Sequence, residues 1–340
     1  MRQAVALVAG VALLLVGVLG SLALGARPVG VADVVGALLD FDGSADQIAV
    51  RELRLPRTMV GLVVGVALGV AGVVMQGLTR NPVADPGLLG VSAGAALGVV
   101  SAVTLLGVGT LAGYVWFAVG GAFVAATVVY AVGARSSRSP VTELVLAGAA
   151  VSATLGSLTA SILVLDQQAL DQYRFWAVGS LSGRDLTVAA QVAPLVVAGL
   201  VLAGASARAL DALALGDDVA RALGRNVAMS RVVAGVGVVV LTGAAVAAAG
   251  PIAFVGLVIP HLVRPMVGSR HTLLLLASAV YAPSLVLWSD VAGRLLIRPA
   301  ELPVGIVTAV VGAPFLIWVI RRDRRRPVPP SDPRREVLAA

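Results

Sequence analysis

The feature that most limits this chain is a succession of apolar stretches long enough to cross a bilayer. A hydrocarbon core about 30 Å thick needs about 20 apolar residues of helix. Ten runs can be read: Val5–Leu24, Met59–Leu78, Leu88–Gly107, Leu111–Val132, Val141–Leu165, Leu186–Ala205, Val232–Ala249, Ile252–Val267, Leu273–Val291 and Leu302–Ile320. The eighth is the shortest and is interrupted by Pro260 and Pro265. In lipid every backbone polar group must be satisfied internally, so such runs fold as helices. The first run has the charged start and apolar middle of a signal peptide. Its length, and the equally apolar chain behind it, favour a retained membrane helix. The expected fold class is an all-α polytopic membrane protein of about ten transmembrane helices.

Composition removes the alternatives. Charged residues make up 13% of the 340, against roughly 25% in ordinary soluble domains. The mean hydropathy is +0.98, so a water-soluble enzyme is excluded. Cysteine is absent, which removes disulfides, thiolate metal sites and cysteine nucleophiles. His261 and His271 are the two histidines, too few for a histidine-rich metal site. All 25 basic residues are arginine. Without lysine there is no phosphate-binding loop of the GxxxxGK[ST] type, and no Schiff-base chemistry.

The arginines also orient the chain. With the N-terminus inside and ten crossings, seventeen arginines fall on inner connections and eight on outer ones. The outer eight are Arg27, Arg51, Arg54, Arg57, Arg174, Arg184, Arg294 and Arg298. This bias places both termini in the cytoplasm. The net charge of +7 then reads as topology and attraction to the lipid surface. No compact basic domain with interleaved aromatics exists, so nucleic acid is not an expected partner. Residues 1–320 form the membrane domain, and the Arg- and Pro-rich segment 321–340 reads as a disordered cytoplasmic tail.

Gly61, Gly65 and Gly69 in the second run, and Gly90, Gly94 and Gly98 in the third, recur every four residues. That spacing lines one helix face with small residues and lets backbones approach closely in lipid. Ordinary helix packing explains it better than a moving path. Glu143 and Asp290 lie near helix ends, and no ionisable side chain is expected near the midplane. An ion-coupled secondary carrier normally needs one there, so that alternative ranks second. A membrane-embedded enzyme ranks third, for want of any nucleophile–base or metal constellation.

Three connections carry chemistry. On the outer side, Arg51-Glu-Leu-Arg54-Leu-Pro-Arg57 presents Arg54 and Arg57 three apart, with Pro56 suited to a first helical turn. Such a pair can grip carboxylates of a partner or simply meet lipid headgroups. On the inner side, Arg80-Asn-Pro-Val-Ala-Asp-Pro-Gly reads as a tight structural turn, with Asp85 placed to cap the next helix. Further on the inner side, Gly216-Asp217-Asp218 opens a short helix that Gly224 ends. Asp217 and Arg221 are four apart and are expected to pair. Leu215, Val219 and Leu223 form its apolar stripe. That stripe could lie on the membrane surface or enter a groove on a soluble partner.

The ordered set RLPR with its glycine-spaced helix and Gln76, NPVADPGLLGVSAGAALG, ALALGDDVARALG, GPIAFVGLVIPHLVR and ELPVGIVTAVVGAPFLIW resembles the FecCD permeases. These are the membrane subunits of ATP-binding-cassette importers for iron–siderophores, haem and cobalamin. The resemblance spans residues 54 to 318. It implies a type II importer fold working as a homo- or heterodimer with a second permease subunit. It further implies two separate ATPases that hold the ATP and Mg, an extracytoplasmic binding protein, and no cofactor on this chain. In similar proteins the fifth and tenth helices line the path. Arg54, Arg57 and Arg294 match positions that dock the binding protein. Leu213, Leu215, Gly216, Asp217, Asp218, Arg221, Leu223 and Gly224 match the ATPase-coupling helix. Ser139, Pro140 and Thr142 sit where the family has an inner gate. A ferric siderophore is the favoured cargo, with haem and cobalamin open, and the bacterial cytoplasmic membrane is the expected location. The segment Phe41–Gln47 follows no family pattern, and the basic tail is longer than usual.

Overall fold

Each of the ten apolar runs becomes a helix in the computed structural model, which describes residues 1–25, 27–133, 140–298 and 300–324. The helices are α1 (Arg2–Ala23), α2 (Val31–Leu39), α3 (Ala45–Ile48), α4 (Leu55–Thr79), α5 (Val91–Leu106), α6 (Leu111–Gly133) and α7 (Pro140–Leu165). After them come α8 (Gln167–Ala177), α9 (Leu186–Ala214), α10 (Asp217–Ala222), α11 (Val227–Ala249), α12 (Val255–Val267), α13 (His271–Leu296) and α14 (Val304–Arg324). A π-helical stretch, Ala49–Arg54, joins α3 to α4. Among the described residues, seven helical spans are long and apolar enough to cross a membrane, and three shorter apolar helices accompany them, ten in all as read from sequence.

The continuous helix through α4 is the axis of the bundle. Its most apolar window is 78% buried, against 17% for α7. It packs against α9, α11, α12 and α13. Its face is built of glycine because neighbouring backbone occupies the space a side chain would need. A methyl at Gly65 would meet the Pro283 backbone, and one at Gly72 the Gly256 carbonyl. The same logic joins α5 to α6, where Gly94 faces Gly121. With no hydrophobic drive between helices in lipid, such close contact holds the bundle, so the packing reading of the glycine spacing fits.

Helix α12 is 13 residues long, about 20 Å at 1.5 Å per residue, short of a full crossing. The residues ahead of it, 250–254, are non-helical. Phe254 there adopts a left-handed φ of 68°. Protein groups fill some of the bonds the break frees: the Ser180 amide donates to the Ala249 carbonyl at 2.8 Å.

The two ends of the bundle sort the charges as the arginine bias requires. At one end, Gln3 of α1 donates to the Val267 carbonyl of α12, and Arg80 meets Asp217. At the other, Arg54, Arg57 and Arg294 gather around the end of α1. Helix α14 starts at this second end, where the Gly305 amide donates to Gly179, and runs back to the first.

One expectation needs correction. Asp85 caps a short 3-10 turn, Pro86–Leu89, by accepting from the Gly87 amide at 2.8 Å, as expected. The turn also folds back into the bundle. Asp85 lines a cavity of about 170 Å³ with Leu68, Ser92, Thr242, Pro251 and Gly256. Leu68 lies eleven residues from the end of α4, about 16 Å along the axis. An ionisable side chain therefore does reach the interior, carried by a loop that hydropathy assigns to the surface.

Candidate functional site

The outer cluster is built from the ends of four elements. Asp290 on α13 is fully buried. It accepts from Arg57 Nε at 2.9 and 3.0 Å and from Arg57 Nη2 at 2.7 Å, a fork matched to a carboxylate. Arg57 Nη1 donates to Glu301, just ahead of α14, at 2.6 Å. Arg294, one turn beyond Asp290, meets its other oxygen at 3.0 Å. Arg294 also donates to the Ser21 and Leu24 carbonyls at 3.0 and 2.9 Å. Arg54 donates to the Leu22 and Ala23 carbonyls at 2.8 Å and to Arg27. Two guanidinium groups thus cap the C-terminus of α1, where a helix dipole favours cations. Arg57 and Arg294 are buried, Arg54 is half-buried, and the Glu301 side chain is 34% exposed. The structure brings the three arginines to one end of the bundle, with their guanidinium groups engaged by partners inside the chain. Their internal partners Asp290 and Glu301 were not foreseen.

The inner site is α10. Gly216 precedes it with φ of 114°, and Gly224 follows it with φ of 75°, both in the left-handed region that favours glycine. Leu215, Val219 and Leu223 are exposed, while Ala220 is fully buried. The stripe read from sequence is therefore free on the surface. Leu213, assigned to the same surface, is 2% exposed and belongs to the packed face of α9. The expected pairing of Asp217 with Arg221 gives way to another. Arg221 pairs with Asp218 at 2.7 Å, and Asp217 accepts from Arg80 and from Arg231 at 2.8 Å. Partial burial pushes the Asp217 carboxyl up, but Arg80, Arg231 and Arg221 outweigh it and hold it below the ordinary carboxylate range. Nearby, His271 Nδ1 lies 2.7 Å from Asp211, joining α13 to α9. Sequence reasoning passed over this pair, because a lone histidine beside a helix start carries no local signal. Of the gate residues, Ser139 and the side chains of Pro140 and Thr142 lie outside the described residues.

Comparison with known proteins decides what these two ends belong to. The family model described as the FecCD transport family matches residues 13–322. The chain belongs to the FecCD transport family. It is 42% identical to the ferric enterobactin transport system permease protein FepD of Escherichia coli (strain K12), over 92% of this chain and 94% of that one. It is 38% identical to the Fe(3+)-citrate import system permease protein YfmD of Bacillus subtilis (strain 168), covering 89% and 90%. Among solved structures, a metal-chelate type ABC transporter in an inward-facing conformation matches with a TM-score of 0.81 at 28% identity, over 93% of this chain and 98% of that one.

This FecCD protein is therefore a multi-pass transport subunit with the fold of a type II importer permease. The likeness to relatives runs through both charged ends, since the match begins within α1 and reaches into α14.

Proposed function

We propose that this chain is one of two membrane subunits that carry a ferric chelate of the siderophore type across the bacterial cytoplasmic membrane. The chelate arrives on an extracytoplasmic binding protein, and an ATP-binding-cassette ATPase drives the cycle from the inner side. The observation that carries this reading is the exposed apolar stripe Leu215–Val219–Leu223 on a short inner helix, in a FecCD chain whose relatives are named for ferric enterobactin and Fe(3+)-citrate. Such a stripe suits a helix-in-groove contact. ATP and Mg stay on the partner. ATP binding shifts the permease between outward and inward states only so far as the ATPase engages one state more tightly.

Helix α7 supports the placement of the path. It is the least buried of the long spans, and its open face carries Thr154, Ser157 and Ser161. Each of these hydroxyls is satisfied by the carbonyl four residues back, at 2.9 Å. A second permease subunit facing α7 and α14 would enclose a path lined by small side chains. At the outer end, Arg54, Arg57 and Arg294 form the docking ground for acidic lobes of the binding protein. Glu301 already occupies Arg57 Nη1, so a docking carboxylate must displace it. The inner gate at Ser139, Pro140 and Thr142 remains part of the proposal.

The test is uptake of radiolabelled ferric siderophore, haem and cobalamin in cells lacking this chain and in cells carrying Leu223→Arg. Loss of ferric siderophore uptake in both, with haem and cobalamin unaffected, is the expected result. Undiminished iron uptake in the deletion overturns the reading.

A further inference from the structure

A helix of six residues is a weak lever by itself, since isolated helices shorter than about 12 residues are marginal in water. This one is flanked by two glycines at φ of 114° and 75° and rests on the bundle through the small side chain of Ala220. Something other than its backbone must tie it to the bundle. We propose that Arg80, Asp217 and Arg231 form a latch fixing the short inner helix to the two membrane helices α4 and α11, so that a push on α10 reaches both together. This rests on the reading of α10 as the ATPase dock.

The geometry is specific. Arg80 is the C-cap of the central helix and holds a left-handed φ of 51°, uncommon for a residue with a Cβ. From there its Nη2 meets Asp217 Oδ1, 137 positions away. Arg231 stands one turn into α11 and donates through Nη2 to both Asp217 oxygens, at 3.1 and 2.8 Å. One carboxylate thus bridges the end of α4 and the start of α11. The neighbouring Asp218 does nothing of the kind. Its side chain is 98% exposed and pairs within α10, with Arg221. The latch is partly open to water, with 41%, 26% and 32% of the Arg80, Asp217 and Arg231 side chains exposed. Pairs in that setting add little to fold stability, so what is at stake is position. Remove the carboxylate, and α10 loses the charge that ties it to Arg80 of α4 and Arg231 of α11. Asp217 is therefore a positioning residue.

The chain contains no cysteine, so labels can be placed at will. Spin labels at Val83→Cys and Val219→Cys, both exposed positions, report the separation of α10 from the turn after α4 in the full-length protein. Asp217→Asn should broaden that distance distribution, and Asp217→Glu should restore it. In the assembled importer, Asp217→Asn should lower the cargo imported per ATP hydrolysed at least about fivefold. Asp217→Glu should recover it. An unchanged distance distribution in Asp217→Asn, or unchanged import per ATP, overturns the latch. Leu223→Arg separates the two claims. It should release the ATPase, and an ATPase that stays bound sinks the docking reading instead.

Discussion

Asp290 accepts hydrogen bonds or ion pairs from both Arg57 and Arg294 in a site closed to solvent. Breaking a buried pair by removing one partner costs about 3–5 kcal/mol, because a charge is left unpaired. Asp290→Ala should therefore lower the unfolding temperature of the solubilised protein sharply. The double variant Arg57→Leu/Asp290→Leu should lose less than the two single changes combined, and simple additivity in that cycle would contradict the pairing. Glu301 is different, being partly exposed while it pairs with Arg57. Glu301→Gln should tighten binding-protein docking about two- to fivefold, as expected when a weak surface competitor is removed. An affinity measurement that finds weaker docking would rule out the competition. The arginines were readable because cationic flanks are disfavoured outside. Asp290 was not seen as a partner of Arg57 because 233 positions separate the two; its spacing of four from Arg294 on α13 was the one local signal of the cluster.

Among the helices, the glycine face of α4 makes the firmest prediction. At Gly72 the Gly256 carbonyl stands where a Cβ would go, and backbone cannot move aside as a side chain does. Overpacking costs typically about 1–3 kcal/mol or more, so Gly72→Leu should abolish monodisperse elution on size exclusion in mild detergent. Gly120→Leu on α6, where nothing lies within reach, should elute normally. The ten apolar helices were legible because a helix in lipid satisfies its own backbone, and hydropathy alone reports it. Helices α2 and α8 were not. Each is shorter than a bilayer crossing, and an apolar face on so short a segment has meaning only beside its neighbour. The short α12 and the inward fold of the turn carrying Asp85 escaped for a related reason: irregular backbone at depth is tolerated only where other helices supply its bonds.

Across the protein from end to end, the two charged clusters answer to different conditions. The Asp217 carboxyl lies below the ordinary carboxylate range. Its contribution is fully present above the unfolded value and is lost only as pH falls through the lowered folded one. Coupled uptake in liposomes should thus be flat from about pH 5 to 8, well above the ordinary carboxylate value near 3.9. It should weaken as salt screens the partly exposed pairs. A steep fall in import per ATP across that pH span would contradict it.

Hydropathy and arginine bias alone settled that the chain crosses the membrane about ten times, that its ends share one side, and where its charged connections lie. Those properties depend on the bilayer as solvent and on each segment taken singly. Which carboxylate holds which arginine, which face of α10 is free, and that a loop carboxylate reaches the interior were decided only in the folded protein. Charge pairing and burial are relations between segments far apart in the chain, and they exist only once the helices have packed.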